Sequence, residues 1–367
     1  MATLRNFVPP VEFHPGITLS EKLKEMEMSV KEFAVRTSKP EKTIFAVIGG
    51  KSSVTSDMAV AFESVTKIPA HFWLNIQRGY DEYVARQKRE EQLALAYDWV
   101  RSFPLAKMME LGWIPQVKTK KEKVKALLSF FQVSTVKAWE DYYLNQQLKV
   151  AFRISLNQTK EPHAISAWLR QGEIQAAETE ACGFSEKALR EAIPAMKSLC
   201  AGHSADFAGA LQELCSKAGV RLVYTPCLPK APINGSTRWI NDVPCIQMTG
   251  RHKRNDIFWF TFFHELGHIL LHGKKDIFLE NIDYADKQRE KEAEADAFSS
   301  RTLLPPSEEN EIIRQGDFSA DTIRYYADKF HVHPGIIVGR LQHRKVIPFT
   351  AHADLTERIE LFNEHTI

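Results

Sequence analysis

The run His264-Glu265-Leu266-Gly267-His268 sets two imidazoles four residues apart inside a segment that is apolar on nearly every side. Ile257, Phe258, Phe260, Phe262, Phe263, Leu266, Ile269, Leu270 and Leu271 predict a helix buried almost all round, capped by Asn255 or Asp256. At 3.6 residues per turn, side chains four apart leave successive turns toward one point. Two nitrogens fixed in that way define one edge of a tetrahedron, so the segment reads as an HExxH helix that binds zinc and carries its own general base. The bland alternative is a pair of structural histidines on a core helix.

A third ligand is sought downstream, in the charged helix Glu290-Lys291-Glu292-Ala293-Glu294-Ala295-Asp296-Ala297-Phe298 that runs to Leu303-Leu304-Pro305. Glu292 and Asp296 share a face, and the intervening chain is long enough for one helix to stop, reverse and pack antiparallel on the other. Glu292 is the expected ligand, with Glu290 and Glu294 as competitors and a solvated charge run as the bland reading. Asp296 is expected to accept the spare N–H of a ligating histidine and fix its tautomer. His272 falls one turn beyond His268 on the same face, and with Gly273 as a helix stop it is expected to lie behind the ligands or at their rim.

Three protein ligands leave a fourth position open for water, the arrangement of catalytic zinc. Metal coordination acidifies water to a pKa of about 7 and polarises a carbonyl. Glu265, beside a ligand but off the ligand face, is suited to take the proton and pass it to a leaving amine, which implies peptide hydrolysis. Cys182, Cys200, Cys215, Cys227 and Cys245 form no CxxC pair and carry no nucleophile signature.

The stretch Phe262 to His272, followed by Glu292-x-x-Ala295-Asp296 and Leu303-Leu304-Pro305, resembles the ImmA/IrrE family of zinc metallopeptidases over roughly residues 200–345. The resemblance implies a zincin-like domain with Glu292 as third ligand, and proteolysis of regulatory proteins, often repressors.

At 367 residues the chain has room for two or three domains. Its apolar fraction of 44%, charged fraction of 26% and net charge of +2 are those of an ordinary soluble protein. The most apolar segment holds His264, Glu265 and His268 at its centre, so no membrane span is expected, and scattered thiols in odd number suit a cytoplasmic protein. The fold class is mainly α with a small β-sheet: strands are expected at 220–224, 236–240 and 243–248, separated by Pro- and Asn-Gly-containing turns. Pro244 to Met248 is a candidate edge strand for holding an extended substrate, with a core strand as the alternative.

Residues 18–76 break into five short helical units. Ser29 and Glu32 form a capping box for a helix containing Phe33, Ala34 and Thr37; after Ser38-Lys39, Pro40 opens another with Ile44, Val47 and Ile48, ended by Gly49-Gly50. Two short helices across a tight turn suit a helix-turn-helix whose second helix offers Glu41, Lys42, Thr43 and Phe45 to the major groove of double-stranded operator DNA. Charge adds little, since residues 1–90 hold 13 Lys plus Arg against 11 Asp plus Glu, and a small protein-interaction domain is the competing reading. Phe13-His14-Pro15-Gly16, the unit from Ser29 to Lys51, and Pro69 to Gln77 resemble the Xre-type helix-turn-helix of HigA-type antitoxins, with two departures: Ser38 replaces the usual glycine of the turn and Pro40 the usual polar cap.

The expected division is therefore a DNA-binding domain over 1–86, a helical middle region over 87–198 and a peptidase domain over 199–367. Arg86 to Glu91 is read as a charged junction. The middle aromatics Trp99, Phe103, Trp113, Phe130, Phe131, Trp139 and Tyr142 are read as core and Lys118 to Lys125 as a solvated face. Two helices around His333-Pro334-Gly335 are expected to cap the catalytic core. The functional expectation is a homodimeric transcription regulator carrying a zinc endopeptidase, latent until signalled, that cleaves a regulatory protein. The alternative is a non-catalytic HigA-like antitoxin whose peptidase fold senses metal or binds a toxin partner.

Overall fold

The computed structural model describes residues 13–147, 161–202, 204, 206–272, 278–279 and 286–362. It is mainly helical with one small sheet, and it divides into two compact units, Met1–Leu95 and Ala96–Ile367. No helix among the described residues is long and apolar enough to cross a membrane.

The first unit holds α1 (Pro15–Glu25), α2 (Val30–Arg36), α3 (Glu41–Ile48), α4 (Ser56–Thr66) and α5 (Ala70–Leu95). Pro15 opens α1 at its first turn, and the His14 ring caps it: Nδ1 accepts from the Gly16 N–H at 3.0 Å. Leu19, Phe33, Ile44, Val47, Phe62 and Trp73 are fully buried, with Phe62 packed against the rings of Phe33 and Trp73 at 5.1 and 5.7 Å. The capping box is only half made: Ser29 Oγ accepts from the Glu32 N–H, but the Glu32 carboxylate turns outward to Arg36. The run read as a junction, Arg86 to Glu91, lies inside α5, where no Gly or Pro interrupts the helix and Arg86 pairs with Glu82 one turn back.

The second unit begins with α6 (Tyr97–Arg101), α7 (Leu105–Glu110), α8 (Lys120–Phe131) and α9 (Val136–Trp139), the last running into a π-helical stretch, Glu140–Gln147. Trp99, Phe103, Phe131 and Trp139 are buried in mutual edge contact, whereas Tyr142, expected in the core, is exposed. Next come α10 (Pro162–Glu178), α11 (Glu186–Gly202), α12 (Phe207–Lys217), β1 (Arg221–Tyr224), β2 (Gly235–Ile240), β3 (Val243–Met248), α13 (Asn255–Leu271), β4 (Phe278–Leu279), α14 (Asp286–Leu303), α15 (Pro306–Gln315), α16 (Ala320–Phe330) and α17 (Pro334–His343).

The sheet runs β1-β3-β2-β4, with β1 parallel to β3 and the other neighbours antiparallel. Asn241 and Asp242 both have positive φ, +52° and +63°, the two-residue turn that joins β2 to β3 with Ile240 opposite Val243. β3 is therefore central. Pro244 precedes the first residue that pairs with β1, so its missing N–H costs no ladder bond, and the expectation that Pro244 to Met248 aligns a substrate fails because both sides of the strand are taken. Asn234-Gly235 does not form a turn but opens β2. A Cβ on Gly235 would stand 2.7 Å from Thr261 Cγ2 and 2.9 Å from Glu265 Oε1.

α10 is keyed into the sheet by buried polar side chains. Gln247 Nε2 donates to the Trp168 carbonyl at 2.7 Å, and Arg238 Nη2 donates to the Leu169 carbonyl at 2.6 Å and to Gln247 Oε1 at 3.1 Å. A Cβ on Gly172 would fall 2.1 Å from the Gln247 amide, so the close approach requires glycine there. Opposite this helix, α13 packs Phe258, Trp259, Phe262, Phe263 and Leu266 into a core shared with α11, α12 and the sheet. α17 repeats the capping device of α1, with His333 Nδ1 accepting from the Gly335 N–H at 3.0 Å ahead of Pro334.

Candidate functional site

α13 starts from Arg254, whose side chain makes no cap bond; neither Asn255 nor Asp256 caps it, and Asp256 is drawn instead to the Arg254 guanidinium at 2.8 Å. The Asn255 N–H finds a carbonyl from far along the chain, that of Glu357, at 3.0 Å, which removes the need for a local cap. From there the helix stays buried through His264, Glu265 and His268.

α14 lies against it closely enough that small residues are needed on both sides. A Cβ on Gly267 would meet the Phe298 ring at 3.1 Å and Ala295 Cα at 3.3 Å, and Ala295 is fully buried. Ser299 Oγ donates to the Phe260 carbonyl at 2.8 Å across the same contact. The crossing carries Glu292 to the two imidazoles: Glu292 Oε2 is 3.1 Å from His264 Nε2, and Oε1 is 3.5 Å from His268 Nε2. The two Nε2 atoms are 2.9 Å apart, and the three candidate ligand atoms lie within 4.8 Å of one another. Of the competitors, Glu290 is exposed and Glu294 is engaged elsewhere.

Both rings are held from behind. His264 Nδ1 is 2.9 Å from Asp296 Oδ1. His268 Nδ1 is 2.9 Å from His272 Nδ1, and His272 Nε2 is 3.0 Å from Glu294 Oε2. His272 reaches this place because the helix ends at Leu271: His272 has extended backbone, φ −118° and ψ 153°, and its ring turns back instead of continuing along the helix. Gly273, read as the stop, lies outside the described residues. The link through Glu294 is the part that sequence reasoning missed; the His268–His272 spacing was its only signal.

The donor set fits a divalent cation. With both Nδ1 atoms engaged behind, the Nε2 atoms face inward as a pair, and their separation approaches the roughly 3.3 Å edge of a tetrahedron with metal–nitrogen bonds of about 2.05 Å. Glu292 Oε1 is enclosed and makes no hydrogen bond of normal geometry. Burial opposes charge on His264, yet its bonds to Asp296 and Glu292, with Glu265 nearby, raise its pKa to about 10. Burial holds His268 down at about 4. Burial alone would raise Glu292, but its close contacts with the two imidazoles pull it to about 2. The pocket thus gathers negative charge around the inward nitrogens, an environment suited to a cation.

Glu265 points to the sheet side. It is fully buried, its carboxylate lies against Gly235, and its backbone carbonyl accepts from Thr237 Oγ1 at 2.9 Å. In the first unit, α3 buries Ile44 and Val47 and turns Glu41, Lys42 and Phe45 outward, with Thr43 half-buried. Ser38, in the turn between α2 and α3, has φ +53°, the left-handed conformation for which glycine is the usual residue.

Residues 215–342 match the family model of the IrrE N-terminal-like domain, peptidase family M78, whose members are typically metal-dependent. The match runs from the end of α12 into α17 and contains both histidines, Glu265, Glu292 and Asp296. No curated protein matches the chain. Among solved structures, it is similar to an addiction-module antidote protein of the HigA family from Coxiella burnetii, at 30% identity, covering 23% of this chain and 91% of that one with a TM-score of 0.22. It is also similar to the antitoxin HigA of Pseudomonas aeruginosa, solved with the higBA promoter, at 25% identity, covering 22% and 90% with a TM-score of 0.22.

Proposed function

We propose that this chain is a transcription regulator with a zinc-dependent endopeptidase built in: residues 1–86 bind operator DNA, 87–198 form a helical connection, and 199–367 cleave a regulatory protein. The reading is carried by one observation, the convergence of His264, His268 and Glu292 with both imidazoles oriented from behind. Zinc held by these three side chains supplies Lewis acidity toward a peptide carbonyl. Asp296 and His272 keep the ligating rings in the tautomer that presents Nε2 inward. Glu265, next to a ligand in sequence, is assigned the proton transfer to the leaving amine. Glu41, Lys42, Thr43 and Phe45 are assigned to the major groove, and the chain works as a homodimer on a two-fold operator.

A second reading is favoured by the burial of Glu265: a base that neither water nor peptide reaches belongs to a resting state, or to a fold that senses metal and binds a partner without cleaving it. Glu265→Gln separates the two. Cells expressing the wild type should show new protein N-termini that are absent with the variant, while both purified proteins hold metal equally. Identical N-termini in both would end the proteolytic reading in favour of the non-catalytic one.

A further inference from the structure

A cavity of about 330 Å³ opens along the seam between α13 and α14, beyond Asp296 as seen from the paired imidazoles, with α17 as its third wall. Ile257, Phe260, Leu303 and Ile336 line it, and its size is that of a small-molecule site. Four lining residues are ionisable: Asp256, Asp296, Arg340 and His343. Both acids already have partners, Asp256 the Arg254 guanidinium at 3.0 and 2.8 Å and Asp296 the His264 ring at 2.9 Å.

Arg340 differs. Its Nη2 donates to the Ser300 carbonyl at 3.2 Å, and among the described residues no carboxylate lies within ion-pair distance of it. Glu309, the carboxylate whose charge reaches it, is bonded to Arg344 at 2.6 Å. Burial works against the Arg340 charge and lowers its pKa. A half-buried guanidinium with one acceptor among the described residues for its five N–H donors, set in a largely apolar cavity, has a planar fork available for an anion.

We propose that this cavity binds a compact small-molecule carboxylate carrying an apolar body, the carboxylate on Arg340 and the body against Ile257, Phe260, Leu303 and Ile336. The site is independent of whether the chain cleaves peptides, so its test requires no turnover. 4-Phenylbutyrate and the neutral 4-phenylbutanol are titrated calorimetrically into the full-length, zinc-loaded protein. The acid is expected to bind about tenfold more tightly than the alcohol, the difference a charge-assisted pair contributes. Arg340→Gln should erase that preference, and Ile257→Trp, which puts an indole into the cavity from its apolar wall, should abolish binding of both. Equal affinities in the wild type, no saturable binding of the acid, or a preference that survives Arg340→Gln would overturn the proposal; should Arg340→Gln fail to fold, acid binding that persists in Ile257→Trp would do the same.

Discussion

In the proposed site, Asp296 and His272 are the side chains assigned to set the chemistry of two others, standing 2.9 Å from the Nδ1 atoms of His264 and His268. A ligating imidazole is useful only in the tautomer that leaves Nε2 unprotonated and inward, and a group at Nδ1 fixes that tautomer. Asp296→Ala is therefore expected to leave the fold intact and weaken zinc binding about 10- to 100-fold, as read by chelator competition; unchanged affinity would remove Asp296 from the site. Ser38 makes the opposite kind of case. Its φ of +53° imposes a cost on any residue with a Cβ, so Ser38→Gly should raise the melting midpoint of the N-terminal unit, by about 0.5–1 kcal/mol of stability. A lower midpoint would mean that the Ser38 side chain contributes more than its backbone loses. The pair His264 and His268 was legible from spacing alone, because four residues is one turn and the information is local. The relay through His272 to Glu294 was not, because it depends on the helix stopping at Leu271 and on which residue of a second helix comes opposite.

At the scale of elements, capping and packing rather than intrinsic propensity decide what forms. α1 begins at a histidine whose neutral Nδ1 is the cap acceptor, with the ring buried edge-on against Tyr80 at 4.9 Å. Burial lowers the His14 pKa below 6.5, so the unfolded chain takes up the proton first. The cap's contribution, about 0.5–2 kcal/mol, is complete above pH 6.5 and is lost as pH falls through the lower folded value. His14→Asn keeps a cap acceptor that does not titrate, and should flatten the acid side of the melting profile; parallel profiles for variant and wild type would refute this origin. The α13–α14 crossing depends on Gly267 and Ala295 in the same way that α10 depends on Gly172. Gly267→Val should push α14 away, cost about 1–3 kcal/mol and release bound metal. These small residues stand in the sequence without a period that marks them, so the packing of the two helices was expected but the residues that let them approach so closely were not readable in advance. Strand order escaped for a related reason: alternation and turn residues located β1, β2 and β3, but which strand lies in the middle is a long-range matter, and β3 proved central.

For the molecule as a whole, the boundary at Leu95 means that the first unit carries its own core, built on Phe33, Phe62 and Trp73. A fragment of residues 1–95 should fold alone, with a cooperative melt and helical circular dichroism; a non-cooperative melt would show that the core is insufficient. Among the helices between Ala96 and Glu178, α10 is tied to the sheet by the bonds from Gln247 and Arg238. No sequence pattern announces a buried Arg–Gln pair reaching across that distance, so the attachment of α10 to the sheet was not legible in advance. The proposed peptidase activity of the second unit rests on a cation at His264, His268 and Glu292, and metal content tests that proposal most directly. After zinc loading and gel filtration, elemental analysis should find one zinc per chain in the wild type and in Glu265→Gln, and almost none in His268→Ala and Glu292→Ala. A wild type that retains no zinc, or a Glu292→Ala variant that retains it fully, would contradict the assignment.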